Sequence, residues 1–237
     1  MTAVPYTGSN RIRETATRNS WILFGGAYLA FVAGFVNTAS LGYFHVPVSH
    51  MTGAITRLSI DTASLNFQDF LNIMYIVAGF LGGAVVSGAV IGSNSLRPSR
   101  EYGWILGLEA ASLVACVVFF NIDASSGLFF AAFACGLQNA MASTYLGLII
   151  RTTHMTGIIT DLGILIGHAV RHRRIKRWKI FFLSLVLFGF FAGGVAAFVA
   201  FRYLGVSSIL VPAGMCLLAT AGFFWLKPGV NRNTERS

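Results

Sequence analysis

Six long apolar runs constrain this chain more than any other feature of its sequence. Each has close to the roughly 20 apolar residues that a helix needs to cross the hydrocarbon core of a bilayer. A span must be a helix or belong to a closed barrel, because lipid offers no partners to free backbone groups. The runs are continuously apolar and do not alternate, which favours helices over barrel strands. We place the six spans at residues 21–42, 70–92, 103–121, 125–150, 180–203 and 206–226.

The composition is typical of a membrane protein and argues against binding of nucleic acid. Of 237 residues, 55% are apolar and 11% are charged, whereas a soluble domain carries about 25% charged residues. The net charge is +9, but the basic residues flank the apolar runs, so we expect no nucleic-acid partner. The three cysteines lie singly within apolar runs, as packing residues do. No group of His, Cys, Asp and Glu residues has metal-ligand spacing, and we expect neither a metal nor another cofactor.

The basic residues predict the orientation of the spans. Six spans with both termini inside put the positive clusters in the cytoplasm, as the positive-inside rule requires. Arg202 is the exception, near the outer end of the fifth span, from where its side chain can reach the interface. Eight spans are the alternative, but they would place Arg97 and Arg100 outside. We therefore expect a multi-pass membrane protein with cytoplasmic tails at residues 1–20 and 228–237.

An internal repeat divides the membrane region into residues 21–123 and 124–227. Segments 50–60 and 154–164 both begin with His-Met-Thr-Gly and are identical at eight of eleven positions. A Gly-x-x-Asn motif precedes each segment. With three spans in each half, the second half starts from the opposite side of the membrane. The sequence therefore predicts an all-α membrane protein of six transmembrane helices in two inverted three-helix repeats, each with a broken or re-entrant helix at the motif.

Each His-Met-Thr-Gly break brings polar groups to membrane depth. We predict that a short helix starts at each break, capped by its Thr. The free N–H groups and the positive dipole end of such a helix suit an anion, a carboxylate or a polar solute, and the adjacent His can exchange a proton. The alternative is that these groups only cap and cross-link the broken helices. The predicted solute-binding residues are His50, Thr52, Gly53, His154, Thr156, Gly157, Asn37 and Asn139.

Three charged residues are also expected at membrane depth, where charges usually pair or line a water path. Arg57 and Asp161 occupy the same position of the repeat, and we predict that they pair. A structural lock without a part in transport is the alternative. Glu109 is predicted to carry a proton or to pair with Arg57, although a hydrogen-bonded or protonated carboxyl that faces the bundle fits the sequence equally well.

Small residues recur four positions apart in the second and fifth spans. The pairs Gly79/Gly83 and Gly189/Gly193 are small-xxx-small patterns, which let two helices approach closely. We predict that they pack the second span against the fifth, with a dimer contact as the rarer alternative.

The residues around the first break resemble a known family. Ala-Gly-Phe-Val-Asn at 33–37, followed by Val-Ser-His-Met-Thr-Gly at 48–53, resembles the YoaK-type bacterial membrane proteins, a domain family of unknown function. The resemblance covers residues 20–227 and implies six spans and an inner-membrane location. The chain departs from the family pattern at Asn37, where an acidic residue is expected, and at Ala54, where Asn is expected.

These features favour a permease or channel for a small solute, for instance an anion. A membrane scaffold is the alternative. A membrane-embedded enzyme that uses His50 and His154 with Asp161 or Glu109 is less favoured, because the chain has no nucleophile motif and no HExxH motif. We therefore expect no enzymatic activity. The expected partners are the lipid bilayer and one small-molecule solute, and the sequence leaves the oligomeric state open.

Overall fold

The described part of the chain folds into helices. The computed structural model describes residues 20–91, 100–120, 122–144, 152–171 and 177–225, and within these ranges no strand is present. The prediction of an all-α fold is confirmed. The helices are α1 (Ser20–Phe44), α2 (Met51–Ala63), α3 (Phe67–Ile91), α4 (Arg100–Phe120), α5 (Ala124–Thr144), α6 (Met155–Val170), α7 (Arg177–Leu204) and α8 (Leu210–Trp225), with a 3-10 turn (Gly205–Ile209) before α8.

Four helical stretches are long and apolar enough to cross a membrane. They are α1 from Leu23 onwards, α3, α4 and the stretch Arg177–Trp225. The last stretch has 49 residues, whereas about 20 are enough for one crossing. It is divided by the 3-10 turn, where Gly205 has φ +56°, into α7 and α8. Helix α5 has 21 residues but includes Gln138 and Asn139, and it is not one of the four.

Large apolar side chains cover the outer faces of α3 and α7. Leu81 on α3 is 61% exposed, and Phe188 and Phe191 on α7 are 67% and 66% exposed. Water-soluble monomers rarely present a contiguous apolar surface of this kind. Other side chains are fully buried, among them Phe35 on α1, Ile76 on α3, Leu113 on α4 and Leu137 on α5. The chain therefore has an apolar surface suited to lipid around an apolar core.

Helices α1 and α7 lie side by side and run in the same direction. Near their first turns, Gly26 packs against the ring of Phe182. Near their last turns, Gly42 packs against the ring of Phe201. Between these points the helices approach so closely that a Cβ on Gly34 would overlap with a backbone carbonyl of α7. Each helix thus begins beside the beginning of the other.

Helices α3 and α5 pack in the same way, also in parallel. Gly79 lies against the backbone of Phe129, and Gly83 lies against the backbone of Phe133. The sequence prediction that these glycines make close contacts is confirmed, but the predicted partner is wrong. They contact the fourth span, and Gly189 and Gly193 contact the first span. The second and fifth spans therefore do not use these glycines to meet each other.

The third and sixth predicted spans pair in opposite directions. Gly103, at the start of α4, lies near the ring of Phe224 at the end of α8. One turn further along α4, Gly107 lies near Thr220. Helix α5 follows α4 after a turn in which Asp123 accepts hydrogen bonds from the backbone N–H and the hydroxyl of Ser126, at 2.9 and 2.7 Å. These bonds cap α5, and the hydroxyl contributes most to lowering the pKa of Asp123.

Candidate functional site

Both His-Met-Thr-Gly motifs start a short helix, but at a different residue from the one predicted. Helix α2 begins at Met51 with His50 as its N-cap, and α6 begins at Met155 with His154 as its N-cap. The predicted caps, Thr52 and Thr156, lie inside the first turn. Their carbonyl oxygens accept hydrogen bonds from the hydroxyls of the Thr residues four positions later, both at 2.9 Å.

The histidine ring explains why glycine is the fourth residue of each motif. A Cβ at Gly53 would lie 2.6 Å from Nδ1 of His50, and one at Gly157 would overlap with Nδ1 of His154. Each imidazole therefore folds over the first turn of the helix that it starts. Neither ring makes a hydrogen bond that caps the helix. The first-turn N–H groups of α2 and α6 are thus left without a side-chain cap, although both helices begin with free donors.

Asn37 holds the first break against the middle of α1. Its Oδ1 accepts a hydrogen bond from the backbone N–H of Ser49 at 3.2 Å and another from the Ser49 hydroxyl at 2.8 Å. The chain reaches this point by reversing after α1, where His45 adopts the left-handed conformation with φ 58°. Asn37 lies about two helical turns before the end of α1. Helix α2 therefore starts beside α1, about two turns before the end of α1.

Asn139 holds the second break in the same way. Its Oδ1 accepts a hydrogen bond from the backbone N–H of Thr153 at 3.3 Å, and its Nδ2 donates to the Thr153 hydroxyl at 2.6 Å. A further, long bond joins the hydroxyl of Thr152 to Oδ1 at 3.5 Å. Ser49 and Thr153 both directly precede the motif histidine. The two halves thus repeat one unit, in which an Asn on a long helix anchors the start of a short one.

The short helices are mostly exposed around this anchored start. Only Ala54 of α2 and Ile158 of α6 are buried. His50 and His154 are exposed, as are the first-turn threonines Thr52 and Thr156. The candidate site therefore consists of two separate, accessible helix N-termini. An asparagine of the preceding long helix anchors each of them.

Arg57 and Asp161 do not form an ion pair in the described part of the chain. Arg57 lies on α2 and Asp161 on α6, and both side chains are exposed. The predicted pairing is therefore not seen. Both residues follow a threonine whose hydroxyl donates to the carbonyl four positions earlier. Equal positions in two repeats meet only when they lie near the symmetry axis, and the exposed helices carry these residues away from the core.

Glu109 is the buried charged residue of the described chain. It is 1% exposed on α4 and makes a hydrogen bond with the thiol of Cys216 on α8. Its Oε2 has no hydrogen-bond partner among the described residues. Because Arg57 is exposed on another helix, the alternative of a partner role for Arg57 has no support in the structure. The carboxyl faces the bundle. This position agrees with the sequence interpretation of a hydrogen-bonded or protonated carboxyl.

The sequence did not lead us to three contact partners of the predicted residues: Ser49, Thr153 and Cys216. Ser49 and Thr153 anchor the breaks, and their repeated Ser/Thr character directly before the motif was a signal that could have found them. The cysteines were read as packing residues, and all three are buried. No sequence signal indicates that Cys216 would contact Glu109, because this contact joins two helices distant in sequence.

Comparison with known proteins agrees with the resemblance noted from the motifs. Residues 25–222 match the model of the family described as a protein of unknown function (DUF1275). The chain belongs to this family. The match covers both anchored breaks and every helix from α2 to α7. No curated protein and no solved structure is detectably similar to the chain.

The two departures from the family pattern have simple structural explanations. Asn37 acts on Ser49 through its Oδ1 acceptor, a role that a carboxylate would also fill. Ala54 is 3% exposed and belongs to the main core cluster, so a small apolar side chain suits this position.

Proposed function

We propose that the protein is a permease or channel for a small polar or anionic solute. The observation that carries the proposal is the duplicated anchored break: two helices, α2 and α6, start inside the length of longer apolar helices and have no side-chain cap. Free N–H groups and a positive dipole end attract anions and polar groups. The exposed His50 and His154 stand beside these donors and can carry a proton.

The proposal includes six spans in two inverted repeats. The direction of packing supports it: α1 runs parallel to α7, α3 runs parallel to α5, and α4 runs antiparallel to α8. Six alternating spans, α1, α3, α4, α5, α7 and α8, require these three relations. Gly34 and Gly136 also meet the carbonyls of Phe190 and Phe80, which are repeat-equivalent. We place the protein in the bacterial inner membrane with both termini inside. The basic residues of both tails, Arg97 and residues 172–176 lie outside the described residues.

A labelling experiment tests the topology. Ile122, in the α4–α5 turn, and Arg171, after α6, are both exposed. The native cysteines are buried, so they give little background. With six spans, a membrane-impermeant maleimide labels Ile122→Cys in intact cells but labels Arg171→Cys only after the membrane is opened. With eight spans, Ile122 also lies inside, so neither variant would be labelled until the membrane is opened.

Transport is tested by uptake into proteoliposomes. The probes are radiolabelled inorganic anions, carboxylates, amino acids and urea, each compared with protein-free vesicles. We expect uptake of at least one probe by the wild type and its loss in His50→Ala/His154→Ala, since the rings do not cap the helices and their removal should leave the fold intact. His168→Ala is the matched control, because this exposed histidine lies in the last turn of α6. A folded wild type that takes up no probe contradicts the proposal and favours a scaffold.

A further inference from the structure

Among the described residues, a single carboxyl group is buried, and it lies where the two halves of the chain meet. Glu109 lies on α4 of the first half. The titratable groups that interact with it come from three other helices: Tyr28 on α1, Cys135 on α5 and Cys216 on α8. Two helices from each half therefore surround this carboxyl. We call the junction of α1, α4, α5 and α8 around Glu109 the central seam.

The hydrogen bonds of the central seam leave the carboxyl only partly satisfied. Cys216 makes a hydrogen bond with Glu109, and Oε2 of Glu109 has no partner among the described residues. The Tyr28 hydroxyl donates to the carbonyl of Met215 at 2.7 Å. The phenol O–H of the seam therefore forms its hydrogen bond with the backbone of α8.

The groups that face Glu109 do not supply a positive charge. From α1, α5 and α8 they are a phenol and two thiols, all of which are neutral at neutral pH in their ordinary state. Cys116, on the same helix as Glu109, is another buried thiol. Within the described residues, Glu109 makes no ion pair. An unpaired carboxylate in such a place loses solvation that a single hydrogen bond from a thiol does not return, whereas a protonated carboxyl loses much less.

We propose that Glu109 is a proton-binding group in the core of this protein, held as a neutral carboxylic acid, and that loss of its proton opens the central seam to water. In this step the carboxyl O–H bond breaks, the proton passes to a water molecule that enters the seam, and water then hydrates the carboxylate. Because the seam joins the two halves, proton release is coupled to their separation. The coupling to solute passage rests on the proposed permease function, but protonation and seam opening do not.

Infrared spectroscopy tests the protonation state. The wild type and Glu109→Gln are compared in lipid across a range of pH. We expect the wild type to show the carbonyl stretch of a protonated carboxylic acid at neutral pH, to lose it reversibly at alkaline pH, and Glu109→Gln to lack it throughout. If no such band is specific to the wild type, Glu109 is ionised and the proposal is wrong. A band that persists at all pH values overturns the release step.

Alkylation of Cys216 tests the opening of the seam. Its rate with a membrane-permeant maleimide is measured by peptide mapping. Thiols react faster at high pH in any protein, so Glu109→Gln serves as the matched control with the same thiols. We expect equal rates at acidic pH and a severalfold faster rate in the wild type at alkaline pH. Equal rates at both pH values would refute the opening step. If both results hold but no probe enters proteoliposomes, the permease proposal fails and this inference stands.

Discussion

Replacing Gly83 by Ala tests the close approach of α3 to α5. A Cβ at this position would overlap with the carbonyl oxygen of Phe133 and lie 2.9 Å from the backbone nitrogen of Leu137. Both are backbone atoms of α5, so neither can rotate away and the two helices must separate. Overpacking of a core costs about 1–3 kcal/mol. We expect the upper end of this range, because main chain has to move instead of a side chain.

Gly88 provides a matched control on the same helix. An added Cβ there meets nothing within 4 Å. Replacing Gly by Ala inside a helix gains about 1 kcal/mol of helix propensity at either position, so the difference between the two variants isolates the overlap. We expect Gly83→Ala to be about 3 kcal/mol less stable than Gly88→Ala. At about 2–4 °C per kcal/mol for a chain of this size, their melting temperatures should differ by roughly 6–12 °C.

Thermal unfolding in detergent, followed by intrinsic fluorescence, measures this difference. The repeat supplies an internal replicate, because a Cβ at Gly193 would overlap with the carbonyl oxygen of Phe31 in the same manner. Gly193→Ala should therefore lose a similar amount of stability. If Gly83→Ala unfolds at the same temperature as Gly88→Ala, the two helices are not in backbone contact and the reasoning from the small-residue pattern fails.

Three further predictions concern the ends of helices. Gly53→Ala should destabilise α2 by about 1 kcal/mol, because the added Cβ meets the ring of His50. In a His50→Ala background the same change should cost nothing. Additive effects in this double-mutant cycle would show that the ring does not lie over the turn. Asn37→Leu should speed hydrogen exchange at the amides of Ser49 and Ala54, which are hydrogen-bonded at the start of α2. Asn37→Asp should not, because Oδ1 only accepts hydrogen bonds from Ser49. Equal protection in both variants would contradict the anchor. Asp123→Ala should lower the melting temperature by uncapping α5, while Asp123→Asn keeps the cap. Folding lowers the pKa of Asp123. The Asp123 carboxylate should therefore stabilise the wild type at pH values above its unfolded pKa, and this stabilisation should be lost as the pH falls through its folded pKa. Asp123→Asn should show no such loss at acidic pH.

The positions of the long helices could be predicted because each needs only local information. A span requires enough apolar residues in a row, and the predicted span at 103–121, for example, corresponds to α4 at Arg100–Phe120. The short helices were predictable for a second reason, since duplication made an otherwise weak motif stand out. Their start was misplaced by two residues because Thr is the better intrinsic cap. In this chain the histidine takes that position, and its ring needs the space over the following glycine.

The contacts between helices could not be predicted in the same way. The glycine pairs indicate that some backbone approaches closely, but they carry no information about which helix it belongs to. The parallel pairing of α1 with α7 depends on how the two halves interlock, which is a property of the whole bundle. The environment of Glu109 is another such property, since Tyr28, Cys135 and Cys216 come from three separate helices.

The two halves of the chain share some structural features and differ in others. Both halves have glycines at helix crossings, an Asn that anchors the break, and a His whose ring lies over the first turn of the short helix. Arg57 and Asp161 differ on the exposed short helices, and two further differences lie where the halves touch. Gln138 donates to the carbonyl of Leu29 at 2.9 Å, whereas its repeat-equivalent, Val36, is a buried apolar residue. Glu109 likewise stands in the first half only. Two identical halves could exchange roles at no cost in free energy. A hydrogen bond on one side, worth about 1 kcal/mol, and a buried acid on one side remove this equivalence. Of these two differences in the core, only the acid responds to pH.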